Sequence, residues 1–269
     1  MEPCLYAVQQ IRRLRGGSQA QLLRASDGGY YVTKSQNNAQ HVKVLANEMF
    51  ATRLGQLLGL PVPSVDGITV SEWLIEHTPE LSIDLAGSSV PWKPGVHLAS
   101  RYVAAPESNW VVDYLPEAML ERLDNLSDFA RMLVLDRWTS NADGRQAVFS
   151  RKAHRRRYSA TFIDQGYCFN AGEWNFPDSP LRGVYAHNCV YKHVTGWDTF
   201  EPALTRAEEM DIDSIWRIAA AIPQEWYESD TDGLNRLVET LYCRRAMIRE
   251  LVVAFRTSSR NPFPNWTTS

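Results

Sequence analysis

Two acids, Asp143 and Asp164, stand twenty-one positions apart in this 269-residue sequence and are the first candidates for chemistry. Asp143 belongs to Asn141-Ala142-Asp143-Gly144-Arg145-Gln146, a polar connection between a helix-like apolar run and a strand-like one. Asp164 closes the apolar run Phe162-Ile163 just before Gln165-Gly166. Delivered from the two ends of one hairpin, such carboxylates can face a common point. One can orient an attacking hydroxyl while the other binds a hard divalent cation such as Mg²⁺. Lys34 ends the β-rich run Tyr30-Tyr31-Val32-Thr33, and Glu48 lies in the helical stretch that follows. Together they supply an ammonium for phosphate oxygens and a carboxylate to hold it. Further upstream, Gly16-Gly17-Ser18-Gln19 can bring backbone N–H groups against phosphate, because glycine permits close approach.

Each feature also has a plain reading. Asp143-Gly144 can be only a turn, Asp164 an Asx-turn acceptor, Lys34 and Glu48 solvated charges, and Gly16-Gly17 a hairpin bend. The conjunction and its order along the chain weigh against all the plain readings at once.

These residues need elements to position them. Leu5–Val8, Gln21–Leu23 and Tyr30–Thr33, with Asp27-Gly28-Gly29 as a turn, predict a three-stranded antiparallel meander. A helix is expected over 41–58, ending at Gly59 because Pro61 and Pro63 forbid its continuation. Strands are expected over 64–75 and 95–103, separated by a Gly/Ser/Pro loop at 86–91. Beyond Pro116 the pattern predicts helices over 116–123 and 127–140, then a β-hairpin of 147–150 with 158–163. An aromatic, irregular stretch (166–200) and two closing helices, 213–221 and 233–255, follow. The expected fold class is α+β and two-lobed: a small antiparallel β-rich N-terminal lobe with one helix (1–103), a larger, mainly helical C-terminal lobe (104–258) and a tail (259–269), with the joint near Ser100–Pro106.

Composition narrows the function classes. Lys and Arg number 28 against 31 Asp and Glu, a formal charge of −3, which disfavours a nucleic-acid-coating surface while leaving room for a local basic patch. No apolar run approaches a membrane span, so no membrane partner is expected. The N-terminus lacks the build of a signal peptide. Cys4, Cys168, Cys189 and Cys243 show no metal or disulfide spacing, so a reducing cytoplasm is the expected location. His187 and His193 flank Cys189 at a spacing that matches no metal motif.

The chain resembles the HipA-like kinase domains and, more distantly, the phosphatidylinositol 3/4-kinase catalytic core. The resemblance rests on Tyr31-Val32-Thr33-Lys34, Asn47-Glu48, Leu58-Gly59-Leu60-Pro61-Val62-Pro63, Asp136 through Gln146, and Phe162 through Phe169; Gly172-Glu173-Trp174 through Pro180-Leu181-Arg182-Gly183 looks like the bacterial subgroup. It implies ATP and Mg²⁺ as cofactors, Lys34 on the ATP phosphates with Glu48 positioning it, Asp143 as catalytic aspartate and Asp164 as principal metal ligand. It also implies adenine against Ser100-Arg101-Tyr102-Val103. One departure stands out: the family's metal-binding Asn, five positions after the catalytic Asp, is here Val148, which ligates nothing. Gln146 or Asn141 could substitute through an amide oxygen. Arg145 stands where a His often sits, and a guanidinium there could neutralise transferring phosphate.

The expected activity is ATP- and Mg²⁺-dependent transfer of the γ-phosphate to a hydroxyl on a protein Ser/Thr or a small molecule. Its rivals are a nucleotide-binding pseudokinase, motivated by Val148, and an AMP transferase on the same fold. Two further features lie outside this frame. Arg151–Arg157 carries five fixed positive charges in seven residues. It reads first as a solvated hairpin tip, and otherwise as a landing site for an acidic protein or nucleic acid. Trp174, Phe176, Tyr185, Tyr191, Trp197 and Phe200 are too dense to be all exposed and should build the rear core.

Overall fold

The computed structural model describes residues 5–104, 110–153 and 155–267. Cys4, Ala105 and Pro106 of the expected joint, and His154 of the basic run lie outside the described residues.

Alternating apolar positions and the Asp27-Gly28-Gly29 turn produce the expected meander: β1 (Leu5–Arg13), β2 (Gln21–Ala25) and β3 (Tyr30–Lys34) pair antiparallel in sequence order. β3 then pairs with β7 (Gly95–Arg101), β7 with β4 (Val65–Val70), and β4 returns parallel to β1 at Leu5↔Ile68, closing a five-stranded barrel. Closure leaves this sheet without a free edge.

Two expectations fail beside the barrel. The strand expected over 64–75 is β4 followed by a helical turn, α2 (Glu72–Glu76), capped where the Ser71 hydroxyl accepts from the Leu74 N–H at 3.2 Å. The loop expected at 86–91 is half of a hairpin, β5 (Ser82–Leu85) with β6 (Ser88–Pro91). Every residue of β6 is exposed, so no in–out alternation could announce it. Leu23 and Val70 of the barrel pack with Leu74, Ile83 and Trp92 beneath this hairpin.

α1 (Val44–Leu57) is buried on all sides from Val44 to Thr52, with Leu54 and Gly55 buried behind them. It is wedged between barrel and helices: Val44, Met49, Phe50 and Leu54 belong to the same core as Leu133, Trp138 and Phe169. That encirclement explains why its apolar spacing is blurred. The helix stops as expected. Gly59 takes φ +76°, its N–H reaches the Gln56 carbonyl at 3.0 Å and the Leu60 N–H reaches Gly55 at 2.9 Å. This is a Schellman closure that favours glycine at the left-handed position.

The second half is helical, as expected, around α4 (Asp128–Trp138), whose residues from Phe129 to Trp138 are buried except Arg131. α3 (Glu117–Leu120) is only one turn, and β8 (Val111–Val112) and α5 (Ala203–Glu208) were not anticipated. β9 (Gln146–Ser150) and β10 (Ser159–Ile163) form the expected hairpin, with β8 on its other edge. α6 (Ile212–Ala219) matches expectation. The single helix expected over 233–255 is instead α7 (Thr231–Arg244), a 3₁₀ turn at Arg245–Met247, and α8 (Ile248–Arg256). No glycine or proline marks that break. Arg245 marks it structurally, turning its guanidinium back onto the carbonyls of Tyr242, Glu208 and Met210.

Of the aromatic cluster, Tyr191 and Phe200 are fully buried, and Trp174, Phe176, Tyr185 and Trp197 pack against the core. Phe263, in the stretch read as a tail, is buried against Tyr191, Phe200 and Phe255.

Candidate active site

The β9–β10 register places Gln146 opposite Ile163, so Asp143, just before β9, and Asp164, just after β10, arrive at the same end of the hairpin. The Gln146 amide spans them: its Nε2 lies 3.1 Å from Asp164 Oδ2 and 3.4 Å from Asp143 Oδ2. Lys34, at the end of β3, approaches from the barrel. Its Nζ donates to Asp164 Oδ1 at 2.9 Å and to Glu48 Oε2 of α1 at 2.7 Å. Glu48, Lys34, Asp164, Gln146 and Asp143 therefore form one unbroken series of contacts joining barrel, helix and hairpin.

Burial opposes charge on Lys34, but the Glu48 and Asp164 carboxylates outweigh it and raise the ammonium pKa above its ordinary value. Burial likewise raises the Asp164 carboxyl. Lys34 first, and then Arg145 and the Gln146 amide, reverse the effect and hold it below the usual carboxylate range. Lys34 is thus a fixed cation and Asp164 a fixed anion. Asp164 sits in the left-handed region, φ +62°, where side chains other than Asn and Asp are seldom found. The chain then passes so close to α1 that a Cβ on Gly166 would lie 2.6 Å from Val44 Cγ2 and 3.3 Å from Glu48 Oε2.

Not every expected residue joins the series. Arg145 is buried with its guanidinium turned away. It binds Asp136 through Nη2 at 2.5 Å and Nε at 3.1 Å, and the Ile163 carbonyl through Nη1 at 2.8 Å. It braces the end of β10 rather than facing a transferring group. Asn141 donates to Asp136 at 3.0 Å and accepts from the Asp143 N–H at 3.2 Å, so its amide shapes the loop instead of meeting Asp164. Val148 lies on β9 opposite Thr161, two residues beyond Gln146. The loop is short enough that Gln146, not position 148, reaches Asp164.

Around the glycine loop, Gly16 adopts φ +129° and Ser18 accepts from Asn38 Nδ2 at 3.0 Å. Gln19 points away, exchanging hydrogen bonds with the Asp84 backbone at 2.7 and 2.9 Å. Gly17 faces Gln40, 3.6 Å from where its Cβ would stand. Arg101 folds back onto Asp27 and Tyr31 at 2.9 and 2.8 Å, while Tyr102 donates its N–H to the Tyr30 carbonyl at 2.8 Å. The Arg101 side chain is thus engaged with the β2–β3 turn and β3.

Three supporting residues were given no role by the sequence reading, although Asn47 and Asp136 stand in its motifs. Asn47 is buried, and its Nδ2 lies 3.0, 3.0 and 2.7 Å from the carbonyls of Gly166, Cys168 and Ala171, while its Oδ1 accepts from Trp174 Nε1 at 2.7 Å. This grips a segment in which Phe169, Asn170 and Ala171 are all left-handed. Asp136 serves both Arg145 and Asn141. Arg244 of α7 caps α4, donating to the Trp138 and Arg137 carbonyls at 3.0 and 3.1 Å while pairing with Asp178 at 2.7 Å. Beside them the Cys168 thiol, pushed up to about 12 chiefly by burial, is an inert filler.

A lysine–glutamate pair under a glycine loop, facing two hairpin-borne acids, is the arrangement of a kinase, and the sequence matches the HipA-like kinase family over residues 8–250. The chain belongs to the HipA-like kinase family. Solved kinases share its fold. The Helicobacter pylori proinflammatory kinase CtkA aligns with a TM-score of 0.55 and 15% identity, over 91% of this chain and 99% of its own. A Golgi casein kinase with Mn/ADP bound aligns with a TM-score of 0.53 and 10% identity, over 95% of this chain and 73% of its own. No curated protein matches the sequence. At such identities the structural likeness establishes the fold alone: this HipA-like kinase has a two-lobed, protein-kinase-like α+β architecture. Family and fold together support a phosphotransferase. Among the described residues, no helix is long and apolar enough to cross a membrane.

Proposed function

We propose that this HipA-like kinase uses ATP and Mg²⁺ and transfers the γ-phosphate to a hydroxyl acceptor, a protein Ser/Thr side chain in the first instance. The observation that carries the reading is the unbroken series Glu48–Lys34–Asp164–Gln146–Asp143.

The residues present fit a magnesium ion. Among the described residues no cluster of three or more His, Cys, Asp or Glu could hold a metal. A carboxylate and an amide oxygen suit Mg²⁺, which keeps water and takes phosphate oxygens as its remaining ligands. Asp164 would hold it, with Gln146 as the amide ligand in place of Val148, its oxygen turned inward. When bound, the ion supplies charge neutralisation for the phosphates. Lys34 holds phosphate oxygens while Glu48 keeps its ammonium in place. Asp143 is exposed at the mouth of the site, where its carboxylate can accept the hydrogen bond, and then the proton, of an incoming hydroxyl. The Gly144 N–H, 2.8 Å from Asp143 Oδ1, fixes that carboxylate's orientation. Arg145 acts at one remove, holding the strand that delivers Asp164. The work of the site is positioning and electrostatics.

The test is a thermal shift with ATP, with and without Mg²⁺, followed by transfer from γ-labelled ATP to protein acceptors and to the enzyme itself. Metal-dependent stabilisation with transfer, lost in Asp143→Asn without loss of nucleotide binding, is the expected result. Stabilisation with no transfer makes the chain a nucleotide-binding pseudokinase. Label appearing only from α-labelled ATP makes it an AMP transferase.

A further inference from the structure

We propose that the basic end of the β9–β10 hairpin is a docking site for an acidic segment of the protein acceptor. That the segment belongs to an acceptor rests on the phosphotransferase reading; the binding itself does not.

The site is a cavity of about 360 Å³ lined by Met119, Arg122, Arg156, Arg157 and Tyr158. Two chain segments build it, α3 with the turn after it and the tip of the hairpin, joined where the Asp124 N–H donates to the Tyr158 carbonyl at 3.0 Å. The tip is braced. Arg151 lies over Trp110 at 4.1 Å and Tyr158 at 5.3 Å, and its Nη1 donates to the Arg155 carbonyl at 3.1 Å. The Arg155 N–H in turn closes onto Lys152 at 2.9 Å. Three guanidiniums are thus presented by a braced scaffold, which reduces the ordering a ligand must impose.

Their charge is unanswered. Among the described residues, none of Arg122, Arg155, Arg156 and Arg157 pairs with a carboxylate, whereas the exposed Lys192 and Arg249 pair at 3.2 and 2.7 Å. Arginine forks set around an opening recognise carboxylates in bidentate fashion. The half-exposed Met119 and Tyr158 supply an apolar wall for the methylenes of Asp or Glu.

A nucleic acid fits less well. The whole chain carries a charge of −3, and Glu121 and Asp124 flank Arg122 in the same turn. A phosphodiester backbone needs an extended basic track, and acids interrupt this one. Gln146 and Ser150 are four positions apart on β9, about 14 Å at strand rise. The docked acids therefore stand apart from the reacting hydroxyl and act through affinity and steering rather than chemistry.

The direct test uses the full chain and a fluorescein-labelled peptide of alternating glutamate and alanine, followed by anisotropy. Expected are saturable binding that weakens steeply with added salt, no binding of the lysine–alanine counterpart, and a loss of about tenfold or more in the Arg122→Glu/Arg156→Glu double variant. Both substituted residues are exposed, and an unchanged Tm verifies that the variant is folded. Equal binding by wild type and variant overturns the proposal. So does a single-stranded RNA that binds through these arginines and displaces the peptide. In the transfer arm, the variant is expected to raise KM for an acidic acceptor with kcat unchanged. If wild type transfers no phosphate while arginine-dependent peptide binding persists, the phosphotransferase reading fails and the docking site stands.

Discussion

Asn47 and Glu48, neighbours on α1, hold the two flanks of Asp164: Glu48 through the Lys34 ammonium, Asn47 through the carbonyls of Gly166, Cys168 and Ala171. A shift of α1 must therefore disturb the lysine and the segment after the aspartate together.

Gly166→Ala tests that coupling from the opposite side. Its methyl would press on Val44 at 2.6 Å and on the Glu48 carboxylate at 3.3 Å, pushing α1 and Asp164 apart. The expected outcome is a folded protein destabilised by about 1–3 kcal/mol, with the Mg·ATP-dependent rise in Tm reduced more than the Tm itself. Denaturant unfolding together with thermal shifts checks it.

Lys34→Met leaves the buried Glu48 carboxylate without its partner, and removing one partner of a buried ion pair costs about 3–5 kcal/mol. Lys34→Met with Glu48→Leu removes both members of that pair and should recover much of that stability. Neither variant should transfer phosphate. Urea midpoints and transfer assays on the two proteins separate the stability role of the ammonium from its functional one.

Gln146 and Val148 make opposite predictions. Gln146→Ala removes the amide that spans Asp143 and Asp164 and should lower transfer by about tenfold or more, the effect of losing roughly 1.4 kcal/mol of transition-state stabilisation. Val148→Asn installs the family's usual residue at a strand position opposite Thr161 and should not raise the rate. Initial rates across a Mg²⁺ titration distinguish them.

His97 predicts a pH dependence of stability. Its Nδ1 accepts from the Gln36 N–H at 3.1 Å and its Nε2 donates to the Lys93 carbonyl at 2.9 Å, so the buried ring is neutral. Burial lowers its pKa from 6.5 to about 4. Between those values the unfolded chain binds the proton that the folded protein refuses, so stability is full above pH 6.5 and falls as pH drops towards 4. The fall amounts to about 3 kcal/mol. Unfolding free energies at pH 7.5 and 4.5 should show it, and His97→Gln should flatten the slope.

What the sequence announced and what it hid divide by range. Lys34, Glu48, Asp143 and Asp164 stand at strand ends, on a helix and beside glycine, positions with local signals, and the structure brings all four together. The meander and the stop at Gly59 were legible for the same reason. Asn47, Asp136 and Arg244 act on partners brought near only by folding; Arg244 reaches carbonyls more than a hundred residues away, and nothing in its neighbours says so. That Gln146 meets Asp164 while Val148 lies opposite Thr161 depends on loop length and hairpin register, which residue types alone do not fix. The β5–β6 hairpin stayed hidden because β6 has no buried face, and α2 because its one signal, a serine cap, sits at the end of a strand.

The contact from Arg244 to the end of α4 also bears on how the protein is made. The loop bearing Asp143 emerges from the ribosome long before α7, so for that interval the last carbonyls of α4 lack their guanidinium cap. Phe263 arrives later still. A nascent chain can thus close its barrel early, yet the turn that leads from α4 into the Asp143 loop is braced only after α7 has emerged, more than a hundred residues later.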